Sequence, residues 1–281
     1  MINSKCYQIN EHIFFLTIVG EKQNKAKNIL TPITARVLGT FNEYLTRFST
    51  LSAKAGSEFT LAEERERSHL IGCYKNETAS SSFVKGNIFA IQPDVLKVLC
   101  PYCMLDRPRT LDHYIPKDEF PEYAMFVRNL IPCCYDCNNK KDELWRNGTL
   151  RQFIHYYNDN ILNHQFLYSE LIFNGSGSIP RIRHFLRKPV AMARRDFQVA
   201  SSHFENLGLL AAYDDSLNNR LSTEIQLILT YVIAGLSDQV ITDLLGSQFL
   251  NRSRTYGVNY FEAIIYQTLA NHLAQVKLVL I

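Results

Sequence analysis

Two Cys-x-x-Cys pairs, Cys100/Cys103 and Cys134/Cys137, constrain this chain more than any other feature. Each pair is spaced to form a knuckle, and four thiols delivered two by two close a tetrahedral zinc site. A metal tying residue 100 to residue 137 forces the chain between them to fold back on itself. The intervening segment is longer than in a compact zinc ribbon, so a further structural unit must be built between the knuckles. Cys133 stands next to the second pair, but only Cys134 keeps the two-residue spacing to Cys137, which makes Cys134 the ligand. Cys6 and Cys73 stand alone and read as core or surface thiols. With four of the seven cysteines given to a metal, the composition points to a reducing compartment rather than a disulfide framework.

Between and after the knuckles the residues run in the order of a hairpin and a helix. Residues 111–115 are strand-like and stop at Pro116. Residues 117–122 are polar, contain a second proline and read as a loop. Residues 124–131 are again strand-compatible and close at Pro132. Residues 138–145 are polar and charged and run towards Gly148, as a short helix with a glycine stop would. Strand, loop, strand and helix held by zinc make a ββα unit.

Asp112-His113, then Asn129-Leu130, then Cys134-x-x-Cys137-Asn138 with Lys141 following, resembles the HNH nuclease motif in its zinc-stapled form. The resemblance covers only the 100–145 stretch. It implies a ββα-metal nuclease module in which His113 is the general base and Asp112 a metal-binding carboxylate. Asn129 takes the middle position and Asn138 the third, where many members carry histidine, so this chain is an H-N-N variant. The residue types suit the chemistry. A neutral imidazole near physiological pH can deprotonate water. A carboxylate oxygen and an amide oxygen hold Mg²⁺ or Mn²⁺ in preference to a second zinc. Asn129 would fasten the hairpin or the His113 ring. Arg128, Lys140 and Lys141 stand where phosphates would be met. DNA is the substrate the family suggests, with RNA as the alternative. The same residues in a silent module would make a zinc-stapled nucleic-acid-binding or regulatory subunit.

The rest of the chain reads as mostly helical, giving an α+β class with the module embedded between helical flanks. The chain has 281 residues, 46% hydrophobic and 20% charged, enough for one large or two small folded domains. A net charge of +3 confines nucleic-acid binding to local patches. Residues 1–99 read as a helical scaffold. Within it, 13–19 suggests a buried strand, 31–48 and 61–74 suggest helices, and 77–82 a loop. Residues 12–20 are apolar but too short for a span and lack a basic start, so neither a signal peptide nor a membrane segment is expected, and the protein reads as cytoplasmic.

Residues 100–150 form the nuclease module, and 151–281 a helical accessory or partner-binding region. In 150–173, His155 and His164 read as polar members of a helical packing face. Residues 174–178 are a loop. The densest basic cluster follows it, and Arg181, Arg183, Arg187 and Lys188 interleaved with apolar residues suggest a helix with a phosphate-binding face. Residues 221–236 should be a core helix, Ser237-Asp238 caps another, and 260–281 is a last amphipathic one that packs internally or in a homodimer. The whole arrangement is similar to stand-alone HNH proteins of prokaryotic genomes. Among these are nuclease subunits of Septu-type anti-phage defence systems, which implies a separate ATPase partner.

Overall fold

The computed structural model describes residues 1–173 and 179–280, and the expected loop at 174–178 lies outside them. The class is α+β and mostly helical, with three two-stranded antiparallel sheets among the described residues. The chain forms two compact units. One is Asn3–Asp159, and the other joins Met1–Ile2 to Asn160–Ile281.

The first unit begins with α1 (Glu11–Glu21), where a strand was expected. Asn10 caps the helix by accepting from the Ile13 amide at 3.0 Å. Phe14, Phe15, Ile18 and Val19 are buried at helical spacing, while Ile13 and Leu16 stay exposed. α2 (Asn24–Arg47) starts well before the expected Thr31-Pro32 and runs through the proline. It buries Phe41 and Tyr44, whereas Leu45 is exposed.

α3 (Glu64–Lys75) follows a Thr60/Glu63 capping box. α4 (Ala79–Ala90) replaces the expected loop, because Thr78 and Ser81 form a capping box that starts a helix there. α5 (Asp94–Val98) leads into the first knuckle.

β1 (Thr110–His113) pairs antiparallel with β2 (Leu130–Cys133), with Asp112 opposite Ile131 and His113 opposite Leu130. The second strand is shorter than expected. Residues 121–129 fold instead into two 3-10 turns, Pro121–Tyr123 and Val127–Asn129. Phe120, Tyr123 and Phe126 recur every third residue, the period that eclipses side chains on a 3-10 turn, and all three are buried. Phe126 stacks on Phe41 at 4.5 Å, and Tyr123 meets Tyr44 at 5.2 Å, so α2 holds this loop in place. Pro132 lies inside β2 rather than ending it, which a strand with one neighbour tolerates.

α6 (Tyr135–Lys141) begins and ends earlier than expected. The Cys134 sulfur caps its start by accepting from the Cys137 amide, and Asp142 at φ 45° breaks it. A small hairpin of β3 (Arg146–Asn147) and β4 (Leu150–Arg151) follows, turning at Gly148, whose φ of 58° favours glycine.

Residues 150–173 are not the expected helical region. After β4 come turns that end the first unit at Asp159, and in the second unit a 3-10 turn (Ile161–Asn163) leads to β5 (Leu167–Ile172), which pairs antiparallel with β6 (Arg181–Leu186). The basic cluster therefore begins on a strand. Arg181 and Arg183 point out while Ile182 and His184 point in, a period of two that interleaving alone does not separate from a helix face.

The helices are α7 (Arg194–Leu207), α8 (Leu209–Asn218), α9 (Leu221–Ile233), α10 (Asp238–Tyr256), α11 (Phe261–Asn271) and α12 (Leu273–Leu280). α9 was expected to be a core helix, but it buries only Leu221, Ile225 and Ile228, leaving Leu227 and Ile233 exposed. Ser237 caps α10 as anticipated. The expected last helix is two, divided at His272. Among the described residues no helix is long and apolar enough to cross a membrane.

Candidate active site and metal centre

The four cysteines of the two pairs converge. Cys100, Cys103, Cys134 and Cys137 are buried, with ligand atoms all within 4.8 Å of one another. The Cys103 and Cys134 sulfurs are 3.9 Å apart. A tetrahedron built on Zn–S bonds of about 2.3 Å has edges of about 3.8 Å, so the donor set and its size fit a structural zinc. Backbone geometry prepares the knuckles. Met104 takes φ 56° at the first turn, and the Cys134 amide donates to the Cys100 sulfur. Hydrogen bonding among the four sulfurs lowers the Cys134 and Cys103 thiols and raises that of Cys137, while burial raises that of Cys100. Cys133 is outside this cluster, and its sulfur lies 3.3 Å from the Thr110 hydroxyl.

β1 carries Asp112 and His113 to the rim of an open cleft of about 480 Å³. The cleft is lined by Tyr74, Asp112, His113, Lys117, Asn138 and Glu143 among others. Successive strand residues point to opposite sides, so the two side chains meet different neighbours. The His113 ring lies edge-on to Tyr74 with centroids 4.3 Å apart, and its Nε2 sits 2.9 Å from the Ala124 carbonyl. A carbonyl only accepts, so Nε2 carries the proton and Nδ1 keeps its lone pair. Burial pulls the pKa of the ring down to about 3, leaving it neutral through the physiological range.

Asn129 is buried and fastens the loop that supplies the Ala124 carbonyl. Its Oδ1 accepts from the Ile115 amide at 2.8 Å, and its Nδ2 donates to the carbonyls of Ile115 (2.9 Å) and Tyr123 (3.2 Å). Of the two roles open to Asn129, fastening the hairpin is the one its bonds serve. Asn138, on α6, donates Nδ2 to the Thr110 hydroxyl at 3.2 Å and also lines the cleft.

The basic residues divide. Lys141 is wholly buried, with its ammonium bonded to Asp112 Oδ1 and the His113 carbonyl, so it cannot reach a phosphate as anticipated. Lys140 is partly exposed and pairs with Asp136, and the half-buried Arg128 acts electrostatically on Glu11. In the other unit, Arg181, Arg183, Arg187 and Lys188 are exposed. Arg183 pairs with Glu170, and Arg187 lies 4.1 Å over the Tyr168 ring. His155 is buried in packing, with Nε2 2.9 Å from the Tyr44 hydroxyl, though it lies outside any helix.

Sequence reasoning missed Tyr102 and Tyr74. Tyr102 sits inside the first knuckle and donates to Asp112. Tyr74 comes from α3, and no local pattern could have joined it to His113.

Residues 100–143 match the family model described as HNH endonuclease, so this segment is similar to that family's domain. Over a longer stretch the chain is similar to protein Ea31 of Escherichia phage lambda, at 27% identity over 184 residues, covering 61% of this chain and 61% of that protein. The chain thus spans less than two thirds of the length of that relative. No solved structure matches it.

Proposed function

We propose that this chain is a metal-dependent endonuclease that hydrolyses phosphodiester bonds in nucleic acid, DNA foremost. The observation that carries the reading is the His113 ring, oriented with its Nε2–H on the Ala124 carbonyl, in the same cleft as Asp112 and Asn138. His113 Nδ1 accepts a proton from water as that water attacks phosphorus, and the 3′ oxygen leaves. By the family's pattern the products are 5′-phosphate and 3′-hydroxyl ends. Asp112 and Asn138 offer the oxygen donors for Mg²⁺ or Mn²⁺, which when bound relieves charge on the phosphate and the leaving oxygen. The four cysteines hold zinc in a purely structural role. Lys117, which lines the cleft, and Lys140 on α6 would meet the phosphates of the strand. Arg181, Arg183, Arg187 and Lys188, with Tyr168 and Phe185 on the same outer face of the β5–β6 hairpin, give a further surface for phosphates and bases.

The resemblance of the whole arrangement supports an effector role in prokaryotic anti-phage defence, beside a separate ATPase chain. The test is cleavage of supercoiled plasmid and of total RNA with Mg²⁺, Mn²⁺ or EDTA, beside His113→Ala. Metal-dependent nicking that falls by at least about 100-fold in the variant supports the reading. Selective loss of RNA keeps the chemistry and changes the substrate. Cleavage undiminished in His113→Ala overturns the assignment of the base. No cleavage, even with a candidate ATPase added, leaves a silent zinc-stapled subunit.

A further inference from the structure

The Asp112 carboxylate is met on both oxygens by side chains from the two zinc knuckles. Tyr102, between Cys100 and Cys103 in sequence, donates its hydroxyl to Oδ2 at 2.7 Å. Lys141, at the end of the helix that starts beside Cys134, donates its ammonium to Oδ1 at 3.1 Å and to the His113 carbonyl at 2.9 Å. The three side chains are shut off from solvent: Tyr102 is 0% exposed, Lys141 0% and Asp112 2%. Packing fixes both donors in turn. The Tyr102 ring stacks on Tyr156 at 5.2 Å, and the Lys141 ammonium faces the Phe153 ring at 5.7 Å.

From this geometry we infer that Tyr102 and Lys141 are positioning residues through which the four-cysteine centre sets the direction of the Asp112 carboxylate, and with it the hold on the divalent ion. The inference rests on the nuclease reading above and names how that site is built. A carboxylate rotates over a broad, roughly two-fold well about its last bond, so a lone aspartate on a four-residue strand would present no fixed donor. Two buried donors, one per oxygen, remove that freedom. Each oxygen still keeps a second lone pair for a cation in the cleft. Lys141 sets its ammonium 3.1 Å from the carboxylate, so one of the two donors that hold Asp112 is a charged group. Because Lys141 also holds the His113 carbonyl, one ammonium fixes the backbone between the proposed ligand and the proposed base. Partners that orient a metal ligand in this way commonly change metal affinity about 10- to 100-fold when removed.

The experiment measures Mn²⁺ affinity by the electron paramagnetic resonance of free Mn²⁺, using the full zinc-loaded chain. Wild type, Tyr102→Phe and Asp112→Asn are compared, together with zinc content and melting temperature. Tyr102→Phe removes one hydroxyl and keeps the ring. The expected result is Mn²⁺ binding weakened about tenfold, with zinc content and melting close to wild type, which a merely structural role would not produce. An affinity that depends on Asp112 and is untouched by Tyr102→Phe would overturn the positioning role alone. Equal binding by wild type and Asp112→Asn would instead sink the nuclease reading, and this inference with it.

Discussion

At the scale of single residues, the centre of the module is a buried ion pair. Lys141 and Asp112 are 0% and 2% exposed, with nitrogen and oxygen 3.1 Å apart. Such a pair gains little over an apolar replacement, but removing one partner strands the other charge in low dielectric. Lys141→Met should therefore destabilise the protein by roughly 3–5 kcal/mol. Adding Asp112→Asn should recover most of that loss, since the amide still accepts from Tyr102 without a charge. Denaturant unfolding of the two single variants and the double variant measures the coupling. A loss near zero for Lys141→Met would mean that the pair is not closed in solution. The Pro132 site shows the same locality of cause. A missing amide hydrogen is harmless there because β2 has a single neighbour, a fact about pairing that the residue itself does not announce.

At the scale of elements, the module consists of pieces that could not stand alone. β1 and β2 have four residues each and α6 has seven, below the length at which an isolated helix or hairpin persists in water. Zinc held by the four cysteines would supply the missing stabilisation, because metal binding at such a site is folding free energy. Cys134 has a second task, since its sulfur also accepts from the Cys137 amide and starts α6. Cys134→Ala is expected to lose zinc and to lower the melting temperature by well over 5 °C, the scale of a change above about 2 kcal/mol in a unit of this size. A chelator acting on wild type should lower melting comparably. Zinc content is read by metal analysis and melting by circular dichroism, and unchanged melting on zinc loss would remove the metal from the folding argument.

At the scale of the whole molecule, the N-terminal helices and the β1–β2 hairpin belong to one compact unit, and a buried carboxylate ties them. Glu11 on α1 accepts from the Val127 amide at 3.2 Å, one turn before Asn129. Burial raises its pKa from 4.5 to about 7. Between those values the unfolded chain releases the proton and the folded chain keeps it, so stability falls as pH rises through about 4.5 to 7. Glu11→Gln keeps an acceptor for Val127 and removes the charge. It should leave stability unchanged near pH 4 and raise it at pH 8 by roughly 3 kcal/mol. Melting curves at both pH values check this, and an equal effect at the two would show that Glu11 does not titrate in that window.

The sequence by itself determined which residue types the centre holds. Spacing of two residues within each cysteine pair, and Asp112-His113, Asn129 and Asn138 in order, are local covalent facts that survive any fold. The class was legible too, and so were several helices, such as α3 and α10 with its Ser237 cap, whereas α1 and α4 were not, although Asn10 and Thr78 cap them. Only the tertiary structure decided which charges face solvent and which face one another. Lys140 and Lys141 are neighbours in sequence, yet a helix turns one outward and the other into Asp112. The basic run from Arg181 is a strand because its alternate residues have a core to pack on, and period two and a helical stripe diverge only once that core exists. Tyr74, Tyr102 and Glu11 meet the site across separations that no local pattern encodes, because burial, hydrogen bonding and desolvation are properties of the packed molecule.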